Sequence, residues 1–385
     1  MRISVSAVIL MTGALVTQAA VTQQANDPFL ALMKRAQKHA AAHGDKFIPA
    51  LSPDDALLLG PNPSISVKTL HAAGFKVVPW TTNEPEKMKA LIALGVDGII
   101  SDRPDLLQQV VAEERAAGHK LIGFDVEAHR GGRSLRPENT LPSFESGIDQ
   151  GATTLETDTG VTTDGVSLIW HDQFLNPLSC RRQDGAAYTM ENRVYIKDIS
   201  MADAQKTFIC DKLRFGPSQK NDSSLSPVAE AFAAKEGLAS PYVPTNAAQL
   251  FEFVRFYTAY YKSGPGKNTP GAKEHAAAGA KVRFNLETKI MPEHIPEEVR
   301  DPSVPVAELT NHTVGPDVFV KTLCGEIVKA DMVDRSDVQS FDFRTLQLVE
   351  ERYPDIPTFY LTESVKLLST EFVPDYLRLS PEETK

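Results

Sequence analysis

Strand-like and helix-like stretches alternate along most of this 385-residue chain. That alternation restricts the fold more than any other feature, because it argues for a parallel sheet whose strands are joined by crossover helices. The strand signals after the midpoint of the first third are KLIGFDVEA (120–128), 153–158, 282–286, 337–341 and 357–361, and SFESGIDQG reads as a helix tail ending at Gly151. The apolar run 166–170 is different. Only the short TTDG link separates it from the preceding strand, which permits a hairpin but no parallel crossover. With 42% hydrophobic residues the chain can bury a large core, enough for one big α/β barrel or two ordinary domains.

The first twenty residues, MRISVSAVILMTGALVTQAA, carry one early Arg, an apolar run and then small residues. This is the pattern of a secretory signal peptide, and it predicts an exported protein, secreted or periplasmic. No later segment is apolar enough to cross a membrane, so no stable membrane insertion is expected. Forty basic against fifty acidic residues give a net charge of −10, which disfavours nucleic acid as a partner. Export makes the three cysteines informative. Cys180 and Cys210 bracket a polar excursion and could staple it, whereas Cys324 lies in an apolar helical pattern and reads as a free buried thiol. Asn221 and Asn311 head glycosylation sequons, meaningful only in a eukaryotic host. The stretch 210–281 reads as an elaborated loop or insertion containing one aromatic helix, AAQLFEFVRFYTAYY. That helix is expected to pack in the core rather than to act as a lid.

Chemistry concentrates between Glu127 and Asp172. In ETD, Glu156 and Asp158 stand two apart on a strand and therefore share a face. Their hard oxygens suit Ca2+ or Mg2+. Glu287 and Lys289 repeat that spacing in FNLETK, so Glu287 could complete a three-carboxylate shell while Lys289 meets a phosphate. His129 and His171 each end a strand and could supply acid and base near neutral pH. Arg130 offers a forked donor for a phosphoryl oxygen. The other histidines (His39, His43, His71, His119, His275, His294 and His312) are expected at the surface.

In this order, HRG…PENT, ExD, TxDG…HD and ExK resemble the glycerophosphodiester phosphodiesterase family. The resemblance implies a TIM-type (β/α)8 barrel with its site at the C-terminal ends of the strands. It implies one divalent cation, Ca2+ or Mg2+, held by Glu156, Asp158 and Glu287. It makes His129 and His171 the acid/base pair, and Arg130 and Lys289 the phosphate contacts. The implied substrate is a small glycerophosphodiester, cleaved to an alcohol and glycerol 3-phosphate. Two alternatives stand beside it: a sphingomyelinase-D-like phospholipase acting on lysolipids, and a non-catalytic exported binding protein of the same fold.

The order of segments departs from the family. GFKVVPWTTN (74–83) and ALGVDGIISDRPDLL (93–107) resemble the family's late strands, yet here they precede the catalytic block. Strands at 47–51, 76–81 and 97–101, with the five at 121–128, 153–158, 282–287, 337–341 and 357–361, make the eight of a closed barrel. The expectation is therefore a circularly permuted barrel spanning 27–385, with 46–118 supplying its closing strands, 121–385 its first strands, and an insertion around 205–280. Trp80 would then wall the substrate pocket.

Overall fold

The computed structural model describes residues 27–290, 310–370, 373–380 and 382–384. The expected signal peptide (1–20) and His294 lie outside them.

The described residues form ten strands: β1 (Ala50–Pro53), β2 (Gly98–Ser101), β3 (Asp125–Ala128), β4 (Thr154–Val161), β5 (Ser167–Ile169), β6 (Arg181–Arg182), β7 (Phe208–Ile209), β8 (Arg283–Thr288), β9 (Ser336–Ser340) and β10 (Thr358–Thr362). Seven of them make one parallel ladder in the order β1-β10-β9-β8-β4-β3-β2. The gap between its two ends is filled by residues 77–80. On one side the Val78 and Trp80 amides donate to the Leu51 and Pro53 carbonyls. On the other side the Asp97 and Ile100 amides donate to the Val77 and Pro79 carbonyls. Pro79 has no N–H to give, which explains why this eighth segment forms bridges rather than a full strand. The result is the TIM-type (β/α)8 barrel, with β2 in parallel register against β3 (Gly98 opposite Asp125).

Several expectations shift in detail. The strand expected at 47–51 begins only at Ala50, and Phe47 and Ile48 are exposed. The one expected at 121–128 begins at Asp125, because Gly123 turns the chain with φ +68° and leaves Ile122 in solvent. The run at 166–170 does return as an antiparallel partner, β5 against β4. The stretch 210–281 is not a loop: it contains the helices Pro227–Glu236, Ala247–Lys262 and Ala272–Lys281. The aromatic helix is a barrel-covering crossover. Its Phe251, Phe253, Val254 and Tyr257 are buried, and Phe251 meets Phe284 of β8 edge-on at 4.9 Å.

The polar excursion after β5 has its own small core around Leu168, Trp170, Leu175, Ile196 and Phe208. Cys180 and Cys210 are bridged within it, and Cys324 is free and buried. Three histidines depart from the expected surface placement. The His39 ring is 11% exposed between Glu350 and Glu351, His275 stacks on Tyr261, and His312 stacks on Tyr195. Long flat rings with one polar edge settle against apolar neighbours when a partner satisfies that edge.

Candidate active site

The polar residues singled out by spacing converge at the C-terminal mouth of the barrel. Glu156 and Asp158 lie on β4 and Glu287 lies beside them on β8, where Asp158 is in register with Glu287. One oxygen from each of these three buried carboxylates lies within 4.8 Å of the others. His129 follows the end of β3, and His171 follows β5.

Local structure explains the placement. After β3 the chain turns through Arg130, which sits at φ 51° in the left-handed region, unusual for a side-chain-bearing residue. The turn is held because the Arg130 amide donates to Glu156 Oε2 at 2.8 Å, while its guanidinium pairs with Glu138 (2.7 Å) and Asp158 (3.1 Å). Gly131 follows with φ +80°, and a Cβ there would come within 2.7 Å of the Ser143 backbone. The PENT segment then supplies Asn139, which donates to Asp158 at 2.9 Å, and Thr140, which caps the helix Leu141–Asp149 in a box with Ser143. Both halves of the HRG…PENT pattern thus serve one purpose, to bring a turn and a helix N-terminus against β4.

Each histidine is oriented by a carboxylate. His129 Nδ1 lies 2.5 Å from Asp102 Oδ1, and its Nε2 lies 3.9 Å from Glu156. Asp102 also accepts from Arg133 (2.7 Å) and from Asn83 (2.9 Å). His171 Nδ1 lies 2.8 Å from Asp172, which in turn accepts from Asn176 at 2.6 Å. With Nδ1–H donated, the Nε2 lone pair of each ring is the one available for proton transfer.

The electrostatics follow from burial and crowding. Burial, with Asp158 and Glu287 as like-charged neighbours, raises the Glu156 carboxyl well above its ordinary range. Burial pushes Glu287 up to about 7, with Lys289 at 2.9 Å opposing and Asp158 adding to the rise. Asp158 goes the other way. Burial opposes its ionisation, but Arg130, His171, Lys289 and His129 together hold it well below the usual carboxylate range. Burial lowers both catalytic candidates, His129 and His171, to about 4; Asp102 resists this at His129, while Arg130 and Lys289 reinforce it at His171. Asp158 Oδ1 is buried with no hydrogen-bond partner among the described residues. Three hard oxygen donors, two with their proton affinity raised by burial and by like-charged Asp158, and the third with one oxygen lacking a partner among the described residues, fit a divalent cation.

A cavity of about 300 Å3 opens over this cluster. Its lining includes His129, Arg130, Glu156, His171, Glu287 and Lys289, with Trp80 and Phe341 on the wall. Trp80 donates to the Ser52 carbonyl and meets Phe341 edge-on at 5.3 Å, and Lys289 lies 5.6 Å over the Phe341 ring. All eight residues singled out from the sequence therefore reach one site. Spacing did not single out Asp102, Arg133, Glu138, Gln339 or Phe341. Gln339 donates to Glu156 Oε1 at 2.8 Å from the end of β9. One signal could have found Asp102 and Phe341: each directly follows the C-terminal end of a barrel strand, where site residues of this architecture collect.

Two histidines flanking a three-carboxylate cluster at the mouth of the barrel define a class, the TIM-type barrels whose polar site lies at the C-terminal ends of the strands. The sequence model of the glycerophosphoryl diester phosphodiesterase family matches residues 7–106 and 129–378, and the chain belongs to that family. It is 51% identical over 45 residues (12% of this chain) to a Mycobacterium tuberculosis protein named Probable glycerophosphodiester phosphodiesterase 2. It is 48% identical over 117 residues (27% of this chain) to the glycerophosphoinositol inositolphosphodiesterase of Homo sapiens. These matches cover 17% and 21% of the relatives' own lengths. Among solved structures, an Oleispira antarctica phosphodiesterase in complex with the product sn-glycerol-3-phosphate aligns at 15% identity and TM-score 0.35, covering 62% of this chain and 66% of that one.

Proposed function

We propose that this chain hydrolyses glycerophosphodiesters to an alcohol and glycerol 3-phosphate. The observation that carries the reading is the meeting of Glu156, Asp158 and Glu287 within 4.8 Å, beneath a cavity lined by both histidines. Ca2+ or Mg2+ held by those carboxylates would neutralise charge growing on the phosphoryl oxygens. Arg130 and Lys289 add fixed positive charge on the same cavity wall. One histidine takes the proton from the glycerol hydroxyl next to the phosphate. That oxygen bonds to phosphorus as the bond to the departing alcohol breaks, and the other histidine protonates the alcohol. Water then opens the cyclic phosphate by the reverse assignment of roles. The neutral rings are ready bases, and the negative phosphate entering the cavity raises their proton affinity toward the working range of an acid. Trp80 and Phe341 form the apolar wall against which the glycerol or its leaving group lies.

A binding module of the same fold has no use for two histidines each oriented by its own carboxylate, which disfavours the non-catalytic alternative. The order of the strands supports reading the barrel as circularly permuted, with 46–118 closing what 121–385 begins. The apolar N-terminal pattern and the Cys180–Cys210 bridge support export to an oxidising compartment. No helix among the described residues is long and apolar enough to cross a membrane. The test is turnover: purified protein with Ca2+ or Mg2+ should release glycerol 3-phosphate from a panel of glycerophosphodiesters. His171→Ala should lose about 10²–10⁴-fold in rate, the usual worth of a positioned proton-transfer group, with unchanged circular dichroism. No release from any diester overturns the reading.

A further inference from the structure

A second side-chain cluster sits at the other end of the barrel. His39 and His43 stand one helical turn apart at the end of the helix Pro28–Ala42, so their rings share a face. The centroids are 4.4 Å apart. Glu351, from the helix Phe343–Arg352, completes the group. One ring nitrogen of each histidine and one Glu351 oxygen lie within 4.8 Å of one another. The position is set by Glu350, which accepts from His39 and from Thr358, the first residue of β10. The catalytic carboxylates occupy the opposite, C-terminal ends of the strands.

The surroundings are those of a prepared metal site. His39 Nδ1 faces Glu350 at 3.0 Å, and Glu350 is fully buried, fixed by the Thr358 and Tyr360 hydroxyls at 2.9 and 2.8 Å. His43 Nδ1 faces the His39 carbonyl at 3.0 Å. A carboxylate behind one imidazole and a backbone carbonyl behind the other are the outer partners that metal-bound histidines use. These partners would leave Nε2 of each ring to a bound metal, and His39 Nε2 lies 3.2 Å from Glu351. Gln347 donates to that same Glu351 oxygen at 2.9 Å, and Tyr376 stacks on His39 at 4.6 Å. Ligands, outer partners and packing are all supplied by three separate stretches of chain.

We propose that His39, His43 and Glu351 bind a borderline-soft transition metal of the Zn2+ type, with water completing the shell. Two imidazoles and one carboxylate suit Zn2+, whereas the all-oxygen cluster at the mouth suits Ca2+ or Mg2+. The role is structural: the ion clips the N-terminal helix to the helix that precedes β10, beside the C-terminal segment that carries Tyr376.

The test is Zn2+ titration of the full chain carrying Glu287→Gln, which removes one carboxylate of the mouth cluster and so separates the two sites. One equivalent should bind, with Kd in the micromolar range or tighter. Adding His43→Ala should weaken it at least tenfold; His43 is exposed at a helix end, so the fold tolerates the change. Glu351→Gln should act alike. Zn2+ should also raise Tm and slow proteolysis of the helix Pro28–Ala42 in the Glu287→Gln protein, and His43→Ala should remove both effects. The proposal is overturned if no equivalent binds to Glu287→Gln, or if the bound equivalent is indifferent to His43→Ala. The latter result would assign the pairs around His39 to helix docking by a protonated imidazole alone.

Discussion

Asp102→Asn is the most discriminating substitution available at the mouth of the barrel. Asp102 is nearly fully buried, and one of its oxygens receives both His129 Nδ1 at 2.5 Å and Arg133 Nε at 2.7 Å. An amide keeps the shape but removes the charge, and its oxygen can still accept from one of the two donors. A hydrogen bond to a charged group is worth about 1.5–3 kcal/mol. At roughly 1.4 kcal/mol per decade, kcat/KM should fall between about 10- and 150-fold if His129 transfers a proton. The pH profile tests the role more sharply than the size of the loss. The Asp102 carboxylate raises the proton affinity of His129 against the effect of burial, so its removal must lower that affinity further. The limb of the kcat/KM profile governed by His129 should move to lower pH, whichever limb that is. A residue that only braced the loop would depress the rate at every pH without moving a limb. The assay is initial-rate release of glycerol 3-phosphate across about pH 3–9, which brackets His129 near 4 in the free protein. Activity within threefold of the parent, or a large loss with an unmoved profile, refutes the assignment of Asp102 as the positioning residue of His129.

Three further outcomes are expected. Chelation should abolish turnover, and Ca2+ or Mg2+ should restore it; Asp158→Asn should weaken the restoring ion's affinity, read by calorimetry. Cation binding should depend on pH in a definite direction. Glu287 has its folded pKa raised from 4.5 to about 7, so it stabilises the fold below about pH 4.5 and loses that contribution as pH rises toward 7. A cation replaces the proton and reverses that loss. The Tm increase given by saturating Ca2+ or Mg2+ should therefore grow from pH 5 to pH 7.5, and Glu287→Gln should flatten the trend. Finally, replacing Cys180 and Cys210 by Ser opens a loop of sequence separation 30. The chain-entropy cost is about 3–4 kcal/mol, measurable as a lower urea midpoint; an unchanged midpoint would mean that the excursion unfolds apart from the barrel.

Much of the barrel was legible because its strands advertise themselves by period. Glu156 with Asp158 and Glu287 with Lys289 face one way for the same reason, the alternation of side chains along a strand. Strand ends were less legible. The true start of β3 depends on Gly123 turning the chain, and the start of β1 on Phe47 and Ile48 lying outside the barrel. Within 210–281 the aromatic helix was legible, but the helices Pro227–Glu236 and Ala272–Lys281 were hidden because runs such as GPSQKNDSS and GPGKNTPGAK signal loops. His39 was misplaced for a related cause: its partner Glu350 is 311 residues away in sequence.

The same distance effect explains which part of the candidate site stayed hidden. A residue that shares a strand face with its partner leaves a spacing pattern, but one that acts on another loop leaves at most its place at a strand end. Asp102 and Asn83 come from segments that precede the catalytic block, yet they complete the environment of His129, because β2 pairs with β3 and residues 77–80 close the ring behind it. Trp80 arrives by the same route. If 46–118 did not pack against β3, these groups would be absent from the site and His129 would lack its carboxylate. Their convergence ties the closing strands to the chemistry as well as to the fold: a chain cut between Gly118 and Leu121 would have to reassemble both pieces to recover an oriented His129.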